Sequence, residues 1–184
     1  EFVSANPTGP MHVGHSRGAI FGDVLANLLI FNGNSVVKEY YINDYGNQII
    51  NFTESVFYRL REIKYKEKFI KKVNLYPGDY VIDIAKKILL EFPKIDLNEF
   101  KKNFEFLSKI SLKHSMELIK NDLKDLGILH DSFISEKSLV EKNLVEKSIQ
   151  YLKDKKFVEE GYLNPPKGEE NKDWKKIKRL IFKS

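Results

Sequence analysis

Cysteine is absent from the 184 residues, which excludes disulfides and thiolate metal sites and fits a cytoplasmic protein. No uninterrupted apolar run approaches the roughly 18 to 20 residues a membrane helix needs, and nothing resembles a signal peptide with its basic start and small-residue cleavage site. No membrane partner is therefore expected. An initiator methionine is missing too. The chain opens on Glu1-Phe2-Val3 and ends two residues after the apolar run Leu180-Ile181-Phe182. It thus reads as an excised piece of something longer, since termini are seldom placed inside a segment that wants a partner. What is present suffices for a real core: 42% of the residues are hydrophobic.

Arginine is scarce, with Arg17, Arg59, Arg61 and Arg179 the only ones among 31 basic residues. The net charge of +5 is uneven. Residues 1–50 hold Arg17 and Lys38 against Glu1, Asp23, Glu39 and Asp44, a net of −2, so the remainder carries +7. That excess suits a polyanionic partner meeting the later part of the chain. Lysine decorating solvated helix faces is an equally good reading of charge alone.

Phe2 to Ala5 reads as a short strand, ended by Asn6-Pro7-Thr8-Gly9-Pro10, because two prolines and a glycine cannot continue a ladder. A helix follows from near His15 to Asn32, with Phe21, Leu25, Leu28 and Leu29 as its buried stripe and Gly33 as its stop. Ser35 to Ile42, rich in Val, Tyr and Ile, reads as a second strand parallel to the first in a right-handed βαβ unit. Beyond Asn43 to Gln48 the pattern is helical, broken by the Pro-Gly turn Tyr76-Pro77-Gly78-Asp79. Asp96-Leu97-Asn98-Glu99 has capping-box spacing for a helix with the stripe Leu112, Met116, Ile119, Leu123 and Leu126, ended by Gly127. Ser138-Leu139-Val140-Glu141 looks like another box, for a helix to about Lys155, in which the doublet LVEKNLVEKS is too short to be an architectural repeat. A hairpin is expected around Glu160-Gly161, before the breaker Pro165-Pro166.

The chemistry is best sought where the first strand meets the first helix. His12 and His15 stand at a helix N-terminus, where imidazoles can donate to phosphate oxygens and the helix dipole favours the same anion. Gly14 between them leaves the backbone open to a base or a ribose. In phosphoryl and nucleotidyl transfer such donors suffice without a covalent nucleophile. Two other readings of HxxH stay open: ordinary capping or surface histidines, and a zinc pair, for which no third ligand stands nearby.

At these residues a resemblance emerges. PTGPMHVGHSRGA resembles the HIGH signature of class I aminoacyl-tRNA synthetases, and EFVSANPTGPMHVGHSRGAIFGDVLANLL followed by EYYINDYGNQI is similar to the bacterial arginyl-tRNA synthetase family. The likeness resumes at YPGDY (76–80), GILHDSFISEKSL (127–139), PPKG (165–168) and LIFKS (180–184), and so covers almost the whole chain. The resemblance implies an α/β fold: the first half of a Rossmann-like, HUP-type parallel sheet carrying a mainly helical insertion. Residues 1–50 would be the first βαβ of the nucleotide-binding domain, 51–130 the insertion, and 131–184 a return to the catalytic domain.

The same resemblance implies roles. Pro10, His12, Gly14 and His15 would bind ATP, with His12 and His15 catalytic through stabilisation of the departing pyrophosphate. Glu1, Ser4, Ala5, Asn6, His15, Asp44, Gln48 and Glu136 would bind arginine, Asn6 holding its α-amino group. Planar carboxylates at Glu1 and Glu136 would suit a guanidinium. Surface or turn roles stay open for Glu1, Asp44 and Gln48, while His114 reads as a helix-flank residue and His130 as a loop residue. The implied partners are L-arginine, ATP with Mg2+ as its counter-ion, and tRNA(Arg), with no protein-bound metal and a monomeric parent. The implied activity is arginine-tRNA ligation through an arginyl-adenylate, with tRNA needed for the first step and the insertion meeting the acceptor end.

Departures from the family pattern are omissions: no KMSK-like lysine motif, no second half of the sheet, no anticodon-binding domain. The piece is therefore expected to be inactive alone. Two rivals share some features, an HxGH-superfamily nucleotidyltransferase and a noncatalytic tRNA-binding fragment.

Overall fold

A computed structural model describes residues 1–69, 72–163 and 177–183, which fall into two compact units, residues 1–137 and 138–184. The Pro165-Pro166 breaker lies outside the described residues.

The first unit opens on a segment outside any ladder rather than the expected strand at Phe2 to Ala5. Val3 and Ser4 have φ of 64° and 26°, left-handed values that turn the backbone out of a ladder. Helix α1, Val13–Phe31, follows, and Gly33 at φ 82° closes it. Its expected stripe is wrong. Ala19 and Ala26 are the buried residues, whereas Phe21 is 72% and Leu25 48% exposed, and Leu28 and Leu29 are exposed as well. The cause is visible in the sequence VGHSRGAIFGDVLANLLIF, which is apolar on nearly every side. Periodicity then cannot say which side packs, and the side with small residues comes closest. Gly22 belongs to it: a Cβ there would lie 2.3 Å from the Phe2 ring.

Strand β1, Glu39–Ile42, is shorter than expected, and its parallel partner is β2, Ser132–Ser135, not the N-terminal segment. The register joins Tyr40 to Phe133 and Ile42 to Ser135. Between them lie three helices, α2 (Asn47–Tyr65), α3 (Asp79–Glu91) and α4 (Phe100–Asp125). Phe52, Val56, Leu60, Val81, Ile84, Ile88, Leu97 and Leu107 form their core. A second core gathers Ala5, Ala19, Tyr40 and Ile128 on Met116, Ile119 and Leu123. Helix α4 therefore serves both cores, its first half the helical one and its second half the strand pair. From its expected stripe Leu126 is exposed and Leu112 half-buried. The Asp96 box does not form either. Asp96 accepts from Asn98 N at 3.0 Å in a turn, and Glu99 caps α4 without a side-chain bond.

In the second unit the expected helix to Lys155 is two. Helix α5, Glu136–Glu141, begins within the first unit, and α6 spans Leu144–Asp154 after Asn143 at φ 54°. The break falls between the two copies of LVEK. Antiparallel strands β3 (Val158–Tyr162) and β4 (Lys178–Phe182) pair Glu160 with Leu180 and Gly161 with Arg179. Glu160-Gly161 is thus strand interior, not turn; a Cβ on Gly161 would lie 2.4 Å from the Ile181 side chain. The apolar run at Leu180 to Phe182 has its partner in β3.

Phe52 is fully buried and Phe21 is not, so the two report on different degrees of burial. Phe52→Ala is expected to destabilise the chain by about 3–5 kcal/mol in denaturant unfolding, and Phe21→Ala by no more than about 0.5 kcal/mol.

Candidate functional site

His12 caps α1, and it does so with a reciprocal box built from two imidazoles. His12 Nδ1 accepts from Gly14 N at 3.1 Å and His15 N at 3.4 Å, while His12 N donates to His15 Nδ1 at 3.3 Å. The rings stack with centroids 3.6 Å apart. An imidazole nitrogen that accepts cannot carry a proton, so in both neutral rings the proton sits on Nε2. Each ring then presents one N–H donor, for which no described residue supplies a partner. Burial, and then the neighbouring His12, hold the His15 pKa below its ordinary value, which favours this neutral form. Gly14 leaves room for the cap, because a Cβ would lie 3.0 Å from the His12 ring and press on it. The capping role left open by the sequence is real, and it orients the rings rather than consuming them.

The loop before the cap is held from several sides. Ala5 O accepts from the Tyr40 hydroxyl at 2.8 Å, Thr8 O from the Tyr80 hydroxyl at 2.9 Å, and Met11 N donates to Asp122 at 3.1 Å. Pro10 is exposed at its outer edge.

Of the predicted amino-acid residues, Glu1, Ser4, Asn6, Asp44 and Glu136 lie about β1 and the end of β2, and the carboxyl ends of strands are where ligands bind in open parallel sheets. Ser4 Oγ donates to Glu1 and accepts from Tyr41 N at 3.0 Å. Asn6 Oδ1 accepts from Asn43 Nδ2 at 3.1 Å. Asp44 accepts from Ser135 Oγ at 2.7 Å and Lys137 N at 2.9 Å, bridging the two strand ends. Tyr41 bonds to Glu136 through its side chain. Burial, then Glu136 and then Asp44, raise the Tyr41 pKa. Oε2 of Glu136 is buried with no hydrogen-bond partner among the described residues, an arrangement that asks for a donor or a cation. Ala5 is buried, so only its backbone is available. Gln48 is exposed on the first turn of α2 and has no described partner. A cavity of about 460 Å³ runs past Asp44, Lys137 and the α4 residues Glu105, Ser108 and Lys109.

Two residues that the sequence reading passed over belong to this region. Tyr41 links Ser4 to Glu136, and Asn43 holds Asn6; the alternation of EYYIN about the end of a strand was the available signal. His114 is buried in α4 between Glu91 and Glu117, 3.1 Å from each, and not on an exposed flank. His130 does lie in a loop, with its ring 4.6 Å from Phe2 and 5.3 Å from Tyr40. Burial lowers its pKa. Among the described residues no group of three or more His, Cys, Asp or Glu side chains could hold a metal ion.

A parallel strand pair and a histidine-capped helix before it give the chain the α/β arrangement of a class I synthetase catalytic domain. Residues 1–161 match the family described as "tRNA synthetases class I (R), catalytic domain", and the chain belongs to that family. It is 54% identical over its whole length to an arginine–tRNA ligase of Pelagibacter ubique and 50% identical to one of Ehrlichia chaffeensis, spanning 32% of each. It also matches a crystal structure from Campylobacter jejuni, provisionally assigned as an arginyl-tRNA synthetase, with a TM-score of 0.79 and 33% identity, over 99% of this chain and 39% of that one. The chain thus spans about a third of the length of its curated relatives.

Burial of His15 beside His12 makes a pH dependence. His15 has a lower pKa folded than its ordinary 6.5, so the unfolded state binds its proton first as pH falls, and stability drops below pH 6.5 and is complete above it. His130 acts in the same sense. Unfolding measured from pH 7.5 to 5.5 is expected to show that fall, and His15→Gln to flatten part of it. An unchanged slope in that variant would count against the neutral capping ring.

Proposed function

We propose that the chain works within a protein of its relatives' length as part of an arginine-tRNA ligase. The reading rests on the paired imidazoles, each with Nδ1 occupied by the backbone and Nε2–H left to donate at the positive end of a 19-residue helix. Their chemistry is anion stabilisation. The carboxylate of arginine attacks the α-phosphorus of ATP, the bond to the β-phosphate oxygen breaks, and arginyl-adenylate and pyrophosphate form. A ribose hydroxyl of the terminal adenosine of tRNA(Arg) then attacks the carbonyl and releases AMP.

In this reading His12 and His15 stabilise charge on the phosphates, which is where preorganised donors contribute most. Pro10 and Gly14 shape the approach of the nucleotide. Mg2+ enters as the counter-ion of ATP, not as a protein-held ion. Asn6, oriented by Asn43, takes the α-amino group. Ser4 and the Ala5 backbone line the same side, Gln48 its rim, and Asp44 acts by joining the strand ends.

Glu136 and Glu1 take the guanidinium. The buried, unpartnered Oε2 of Glu136 supports that assignment, because a bidentate guanidinium supplies both charge and donors. Residues 1–50 and 131–184 serve as catalytic-domain segments about the insertion 51–130. The +7 of the later residues favours contact with tRNA. A monomeric, cytoplasmic parent completes the reading.

Arginine-dependent exchange of pyrophosphate into ATP tests it, in the full-length protein with tRNA(Arg) present. His15→Ala is expected to lower kcat by about 100-fold, the scale of losing one preorganised donor. Glu136→Gln is expected to raise KM for arginine about tenfold or more while leaving KM for ATP within twofold. Exchange supported equally by other amino acids, or indifferent to both changes, would refute the assignment.

A further inference from the structure

The segment Asn6-Pro7-Thr8-Gly9-Pro10-Met11 makes almost none of its own structure. Pro7 and Pro10 have no N–H to give, and its one internal backbone bond runs from Thr8 N to Asn6 O at 2.8 Å. Buried backbone groups must nevertheless be paired. Thr8 is buried, and its carbonyl accepts from the Tyr80 hydroxyl on α3, 72 residues away. Met11 N–H, immediately before the capping histidine, donates to Asp122 on α4, 111 residues away. Gly9 admits the Tyr80 ring, since a Cβ there would lie 3.1 Å from both Cζ and the hydroxyl oxygen. Burial pushes the Tyr80 pKa up to about 12, which keeps the hydroxyl protonated and donating at neutral pH.

These contacts grip the loop at its middle and at its end before His12, and both come from the helical segment, while the strand pair holds the loop's start through Tyr40 on Ala5 O and Asn43 on Asn6. We infer that Tyr80 and Asp122 are positioning residues, which set the loop carrying His12 and His15 through the Thr8 carbonyl and the Met11 amide. This rests on the proposed role of the two histidines, and it assigns to the helical insertion a part in forming the nucleotide site. Neither residue touches the imidazoles. Their effect is on where His12 begins its extended cap, and displacements of about 1 Å in such groups cost large factors in rate.

The test uses the full-length protein carrying Tyr80→Phe, Asp122→Ala or Asp122→Asn, with Lys86→Ala on the exposed side of α3 as control. Tyr80→Phe and Asp122→Ala are expected to lower kcat of pyrophosphate exchange about tenfold with KM for ATP and arginine within about twofold, because the lost interaction acts on the transition state. Asp122→Asn keeps an oxygen acceptor for Met11 N–H and should stay within about threefold of wild type. The imidazole proton resonances of His12 and His15 are expected to shift in the first two variants and not in the control. A lower unfolding midpoint with wild-type kcat per folded enzyme would overturn the inference, and so would unmoved imidazole resonances in both variants. If the wild-type protein shows no arginine-dependent exchange, the functional reading falls, and the imidazole resonances alone decide the positioning role.

Discussion

Helix α4 is the constraint on which the first unit depends. At 26 residues it is about 39 Å long at 1.5 Å per residue, enough to reach from one apolar cluster to another. Leu107 packs into the helical core, while Met116, Ile119 and Leu123 pack under the strand pair. One rigid rod therefore fixes two cores, and Asp122 near its end reaches the backbone just before His12. A shift of α4 would be felt at the signature loop through that contact.

The strand pair supplies the other half of the arrangement. Tyr40 is buried between α1 and α4 and uses its hydroxyl on Ala5 O, while Tyr41, one residue on, uses its backbone on Ser4 and its side chain on Glu136. The period of two along a strand sends the neighbours to opposite faces, so one tyrosine anchors the core and the other the site. Asp44, just past the strand, ties Ser135 and Lys137 to the same end. Polar groups at the carboxyl end of β1 and β2 are thus mutually oriented by one another.

What was legible in the chain was local. Gly33 and Gly127 end helices because they adopt φ of 82° and 75°, values that a glycine reaches without penalty. Met116, Ile119 and Leu123 of the α4 stripe were readable because polar residues separate them. Helix α1 was not, since an all-round apolar helix offers no contrast. The Asp96 and Ser138 boxes fit a pattern that the structure overrode, Asp96 by bonding to Asn98 in a turn and Ser138 by lying inside α5, which starts at Glu136. Strand pairing failed for a different reason: β1 joins a partner 93 residues on, and no local signal carries that distance.

By itself the sequence determined the glycine stops of α1 and α4, the strand character of β1, and the signature around His12 and His15, because those depend on residues within a turn or two of each other. Its extended likeness to synthetases was equally a property of the linear string. Only the tertiary structure decided which side of α1 packs, which strand pairs with β1, and that the histidines cap each other through Nδ1 and so present Nε2–H. It alone brought Tyr80 and Asp122 to the loop. Those outcomes turn on backbone groups finding partners across tens of residues, and a carbonyl or an amide looks the same at every position of a sequence.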